Sequence, residues 1–298
     1  MIQETIRTPV WFAAFWVEAS ADPNAQGGTV AIAGAPPKIL AKLIPPTLLP
    51  LGAPGAQTGS QGAATGVTMV ANNRGLLFQT LPVWYPRAPN EADLNQVPST
   101  PQLPSGQTVI SVSLLSLDGR YHPRIANLQP PQVLAASGTP TTIPTLQYVA
   151  LRPSLKGTSI SESGALAMNL NWSAAPLAAS WAVVTLTCSR PGASYTFTGQ
   201  ADVNGDVIVP LTGLPPLPLP TSPSDIMTLS VQADQKQSGV TAGCDTDALL
   251  ALSPTPVLVS GSSTVVSTLP IKRGVINTAA MAGFAAGFTL QAPAQPSS

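Results

Sequence analysis

Residues 201–215 read ADVNGDVIVPLTGLP: a turn at Asp202-Val203-Asn204-Gly205, an apolar run, and a stop at Leu214-Pro215. Residues 71–82, ANNRGLLFQTLP, repeat that order with Asn72-Asn73-Arg74-Gly75, an apolar run and Leu81-Pro82. Glycine reaches positive φ without steric penalty, and Asn or Asp tolerates it, so both four-residue stretches predict hairpin loops. Proline has no N–H for a ladder, so each pairing is expected to end at Leu-Pro. Before the loops lie VWFAAFWVEAS (10–20) and SWAVVTLTCSRPG (180–192); after them come TVISVSLLSLDG (108–119) and DIMTLSVQAD (225–234). The unit is strand, loop, strand, turn, strand, loop, strand, written twice.

Short β-branched or aromatic runs bounded by Gly, Pro, Asn or Asp predict strands at 9–19, 28–33, 67–71, 75–80, 107–117, 146–152, 165–172, 181–189, 194–200, 206–212 and 226–233. Helical periodicity is nearly absent, so the fold class is all-β. The expected architecture is two tandem Greek-key-like sandwiches, over 1–135 and 145–250. A loop insertion at 35–66 and an extended C-terminal arm at 251–298 complete it.

The chain has 298 residues, 13 basic and 13 acidic, and charged residues make up 9% of it. Typical soluble proteins carry about 25%. A neutral chain without a basic run has no footprint for nucleic acid or anionic lipid. So little charge suits a surface that other subunits cover, because interface cores are charge-depleted. The 24 glycines and 33 prolines suit a turn-rich β protein. Cys188 lies in a strand-like run, TLTCS, where a buried thiol is the commoner outcome; the sequence leaves its pairing with Cys244 open. The N-terminal PVWFAAFWV is short, aromatic and preceded by Glu4 as well as Arg7, so it reads as a first strand rather than a cleaved signal peptide. The expected setting is cytoplasmic assembly into a particle destined for release or surface action.

The order of strand, [Asn/Asp]-x-x-Gly turn, alternating strand, Leu-Pro and further strand resembles carboxypeptidase-regulatory-like domains, small transthyretin-like β-sandwiches. LDGRYHP (117–123) is similar to the Asp-x-x-Gly-Arg-aromatic-x-Pro segment of proteins encoded beside phage-tail-like contractile injection systems. It departs from that pattern where Asp118 directly precedes Gly119 and where His122 takes a usually apolar position. SWAVVTLTCSRPGASYTFTGQADVNGDVIVPL (180–211) resembles the second half of the same group. The resemblance covers about 10–250 and implies a structural or assembly role, with other particle subunits or further copies of the chain as partners.

Three stretches are candidate partner contacts. The 35–66 segment opens apolar, with Ile39, Leu40, Leu43, Ile44, Leu48 and Leu49, and either folds over its own sandwich or docks on a neighbour. Trp84 and Tyr85, in VWYPRAP, suit packing or an exposed sugar or protein contact. The tail holds Ile276, Phe284 and Phe288 in GVINTAAMAGFAAGFTL, which is too short and polar for a membrane helix and reads as a strand or arm packed on the second domain or on a neighbour.

No chemistry announces itself. His122 is the sole histidine, so a His-based zinc cluster is not supported, and no Gly-x-Ser-x-Gly elbow accompanies it. Neither a P-loop nor a Gly-x-Gly-x-x-Gly after a strand occurs. Asp202 with Asp206, and Asp245 with Asp247, read as turn and cap residues rather than metal ligands. The expectation is a non-enzymatic structural subunit without cofactor or metal. A carbohydrate-binding or adhesive module is the first alternative, and an enzyme of unrecognised type the second.

Overall fold

Alternation of inward apolar and outward polar side chains decides the architecture. Met227, Leu229 and Val231 are buried while Ile226 and Thr228 are exposed on one strand, and Val207 and Val209 point inward on another. That period of two is the signature of a sheet with one buried face. The computed structural model describes residues 12–19, 29–30, 32, 35–44, 69–71, 74–78, 110–128, 132–134, 141–143, 147–174, 177–215 and 224–293.

In chain order the first ten strands are β1 (Phe12–Ala19), β2 (Thr29–Val30), β3 (Ile39–Leu43), β4 (Met69–Ala71), β5 (Gly75–Phe78), β6 (Ile110–Ser116), β7 (Arg124–Leu128), β8 (Gln132–Leu134), β9 (Thr141–Ile143) and β10 (Gln147–Leu151). Then come β11 (Ala165–Trp172), β12 (Val183–Arg190), β13 (Ala193–Gln200), β14 (Asp206–Pro210), β15 (Asp225–Gln232), β16 (Val257–Val259), β17 (Thr268–Ile271), β18 (Ile276–Asn277) and β19 (Phe288–Leu290). The helical content described is one 3-10 turn, Gln235–Gln237, and α1 (Thr246–Leu250), capped by the Asp245 carboxylate. The all-β class expected from the sequence is what the chain adopts.

The chain forms two compact units. Unit 1 takes 1–16, 33–115 and 125–149; unit 2 takes 17–32, 116–124 and 150–298. Each unit draws on discontinuous segments of the chain.

In unit 1, β4 and β5 form an antiparallel hairpin with Ala71 opposite Leu76, and β5 pairs with β1 through Ala14 and Leu76. The two strands flanking the hairpin read from sequence therefore pair, while Asn72 and Asn73 lie outside the described residues. Gly75 is required at its place: a Cβ there would sit 2.1 Å from the Ala14 carbonyl oxygen. A second sheet orders β3-β6-β7. The segment expected as a loop insertion thus contributes a strand, Ile39–Leu43, and the Ile44 N–H donates to the Ser111 carbonyl.

Unit 2 is built from two sheets around one core. One orders β14-β11-β19-β16, with β18 beside the start of β11; the other orders β13-β12-β15-β17. Leu166, Leu170, Val207, Val209 and Phe288 from the first share a buried cluster with Leu186, Phe197, Met227, Leu229 and Ile271 from the second.

The second copy of the repeated motif is not a hairpin. β13 pairs with β12 and β14 pairs with β11, so Asp202–Gly205 carries the chain from one sheet to the other. The Asp202 carboxylate accepts from the Asn204 and Asp206 N–H groups, Gly205 takes φ 82°, and the Leu170 N–H donates to the Gly205 carbonyl. Asx-type capping satisfies a corner as well as a hairpin, so local sequence could not separate the two. The tail also differs from an extended arm: β16, β17, β18 and β19 are integral to the two sheets of unit 2.

At Gly205 a Cβ would meet the Leu170 carbonyl oxygen at 2.2 Å, whereas at Gly192, also at positive φ, nothing lies within 4 Å. Gly205→Ala should therefore lose at least about 2 kcal/mol by urea unfolding, and Gly192→Ala about 1 kcal/mol from backbone strain alone. Equal losses would contradict the corner geometry.

Candidate functional site

The proposed contact residues scatter once placed. Ile39 and Leu40 lie on β3, with Leu40 exposed; Leu43 ends that strand and Ile44 follows it, half-buried. Leu48, Leu49, Trp84 and Tyr85 lie outside the described residues. Ile276 is exposed on β18, whereas Phe284 is half-buried against the core of unit 2. Phe288, read as a candidate partner contact, is 3% exposed and sits on β19 opposite Leu170, so its side chain serves this chain's own core.

Polar side chains converge instead at one end of unit 2. The LDGRYHP segment forms a turn after β6. There the Ser116 hydroxyl and the Arg120 guanidinium both bond Asp118, Ser116 at 2.6 Å, and hold its carboxyl well below the usual range. The Tyr121 hydroxyl donates to Glu18 at 2.9 Å; burial first, and then that bond, raises its pKa. His122 is 5% exposed, lies edge-on to Trp181 at 5.7 Å, and places Nε2 3.1 Å from the Gln200 carbonyl oxygen. A carbonyl only accepts, so Nε2 carries the proton. Burial pushes the imidazole down to about 4.

The Gln200 side-chain amide reaches the Trp181 carbonyl, the Cys244 sulfur and the Thr246 hydroxyl at 3.3, 3.5 and 3.4 Å. Cys244 is 1% exposed, and burial raises its thiol to about 11. It forms no disulfide, and neither does Cys188. Arg124, also buried, donates to the Ala150 carbonyl and at 2.8 Å to Asp247, the carboxylate read as a turn residue. Near neutral pH the thiol is protonated and the imidazole neutral, so these two groups tie the 116–124 and 240–250 segments to β13 without forming an ion pair.

Beside this cluster a cleft of about 330 Å³ opens, lined by Glu18, Arg152, Pro153, Thr158, Ser159, Ser161, Thr198, Gln200, Ile208 and Thr212 among others. Burial, and then the charge of Arg124, lowers the Arg152 guanidinium to about 10. A second buried charge group lies at the far end of β12. There Asp225 takes both oxygens to Arg190 at 2.9 and 3.0 Å, with Arg273 at 3.9 Å. No cluster of three or more metal-ligating side chains occurs among the described residues.

Sequence reasoning missed Glu18, Arg152 and Gln200, which sit in ordinary strand or strand-end contexts and converge only through topology. A scan against protein-family models matches none, and comparisons with characterised proteins and solved structures bring up no similar protein.

The buried neutral His122 sets a pH dependence. Its folded pKa is depressed, so its contribution is complete above pH 6.5 and is lost as pH falls from 6.5 to 4, up to about 3 kcal/mol in all. Asp118, also depressed, acts only below its ordinary value of 3.8. Urea unfolding of the His122→Gln variant should show a flatter stability profile between pH 6.5 and 4 than the parent chain. Parallel profiles would rule His122 out as the titrating group.

Proposed function

We propose that this chain is a non-catalytic structural subunit of a multiprotein particle, of the contractile phage-tail-like kind that the resemblance implies, and that it acts by protein-protein binding. The observation that carries this reading is the outward face of the β13-β12-β15-β17 sheet. Thr196, Thr187, Thr228 and Thr268 align across all four strands in register. Beside them, Thr198, Thr185 and Ser230 form a second row, and Ile226 stands opposite Pro270.

No charged side chain interrupts those positions, and Ile226 is 61% exposed. Soluble sheets guard exposed edges with charge, above all lysine, because an unguarded edge pairs or aggregates. An uncharged face in a chain with 9% charged residues fits a surface hidden by a companion. The edge strand β13, ASYTFTGQ, likewise carries neither charge nor proline, which suits addition of a neighbour's strand.

The test uses tagged full-length chain expressed in the cell that encodes it. It should sediment with a megadalton particle containing sheath and tube proteins. Thr228→Lys, at an exposed position, should leave the melting temperature within about 2 °C and remove the chain from the particle. A wild-type chain that sediments only as free monomer contradicts the proposal, as does normal incorporation of Thr228→Lys.

A further inference from the structure

Arg152 lines the cleft as a half-buried cation whose guanidinium makes no hydrogen bond among the described residues. Its nearest charges are the guanidinium of Arg124 and the carboxylate of Asp247, and Arg124 already holds Asp247 at 2.8 Å. The Arg152 guanidinium presents five donors in a fixed fork, free of partners among the described residues and open to the cleft. A planar carboxylate matches that fork bidentately. The lining opposes a simple anion, however, because Glu18 also faces the cleft, with one carboxylate oxygen taken by Tyr121. The rest of the wall is hydroxyl-rich, with Thr158, Ser159 and Thr198 beside apolar Ile208.

We propose that this cleft binds a small hydroxylated carboxylic acid of the sugar-acid class, with its carboxylate on Arg152 and a ligand hydroxyl donating to Glu18. The volume of about 330 Å³ falls at the small end of ligand pockets, enough for one ring. The hydroxyl side chains both donate and accept, which suits ring hydroxyls. The Glu18 carboxylate accepts from a hydroxyl and repels a second charge, so a phosphate dianion is disfavoured. The cleft shares Thr198 with the uncharged sheet face, and its test on the free chain does not depend on particle assembly.

The test is an NMR titration of the full chain with D-glucuronate, beside D-glucose, acetate and inorganic phosphate. Glucuronate should shift the Thr198, Gly199 and Gln200 amides with a millimolar or tighter Kd, roughly the affinity expected of one charge-assisted fork and a few hydroxyl bonds. Each of the other three should bind at least about tenfold more weakly, and Arg152→Gln should weaken glucuronate by about tenfold or more. If Arg152→Gln fails to fold, Arg152→Lys keeps the charge without the fork and should weaken binding several-fold. Methyl β-D-glucuronoside separates two sources: equal binding assigns the acid at the end of a glycan, and lost binding assigns the free acid. The proposal is overturned if glucuronate shifts no cleft amide, if phosphate binds as well as glucuronate, or if the Arg152 variants bind it unchanged.

Discussion

Unit 2 depends on one corner. At Asp202–Gly205 the chain leaves the sheet of β13 and enters that of β14, and the two sheets can enclose a core only because it does. The corner is fixed by backbone groups as much as by side chains. The Asp202 carboxylate caps it, the Gly205 carbonyl accepts from Leu170, and the Ala179 N–H donates to the Leu170 carbonyl. Trp181, at φ 64°, is the one non-glycine residue found at positive φ among the described residues, and its N–H donates to the Asp202 carbonyl. Such a conformation persists where surrounding structure over-determines it. Here the indole N–H bonds the Val240 carbonyl, and the ring packs with Cys244 and Leu249. The corner and the polar cluster around His122 are thus one construction.

This explains why charge is rare yet placed with care. Asp225 is 5% exposed and faces two guanidiniums, and Arg190 also bonds the Pro215 carbonyl at 2.8 Å. Removing one partner of such a pair leaves a stranded charge at about 3–5 kcal/mol, although the intact pair adds little net stability. At the other end the buried Arg124 guanidinium bonds Asp247, whose carboxylate is exposed, and joins the β7 start to α1. The buried charges of unit 2 lie at its two ends, while the outward positions of the β13-β12-β15-β17 sheet carry none.

Much of the strand content was legible. The runs at 165–172, 181–189, 194–200 and 226–233 correspond to strands within a few residues, because β-branched and aromatic residues between Gly and Pro punctuation are a local signal. The β4–β5 hairpin was legible for the same reason. The partner of each strand was not. ADVNGD satisfies a corner with the same Asx capping and positive-φ glycine that a hairpin uses, and only long-range pairing decides between them. Strands β3, β7, β8 and β9 were not read, and the tail was read as one strand or arm rather than as β16–β19, because these strands are short and owe their conformation to a neighbour. The cleft was least legible of all: Glu18, Arg152 and Gln200 lie on β1, just past β10, and on β13, with nothing in their local sequence to link them.

The central claim is that 257–290 is structural masonry of unit 2 rather than an extended arm. Amide hydrogen exchange followed by mass spectrometry tests it directly. Peptides covering Val257–Val259, Thr268–Ile271 and Phe288–Leu290 should exchange as slowly as those covering Val183–Arg190 and lose protection together with them in denaturant. Full exchange of the C-terminal peptides within seconds, while β12 stays protected, would contradict the account.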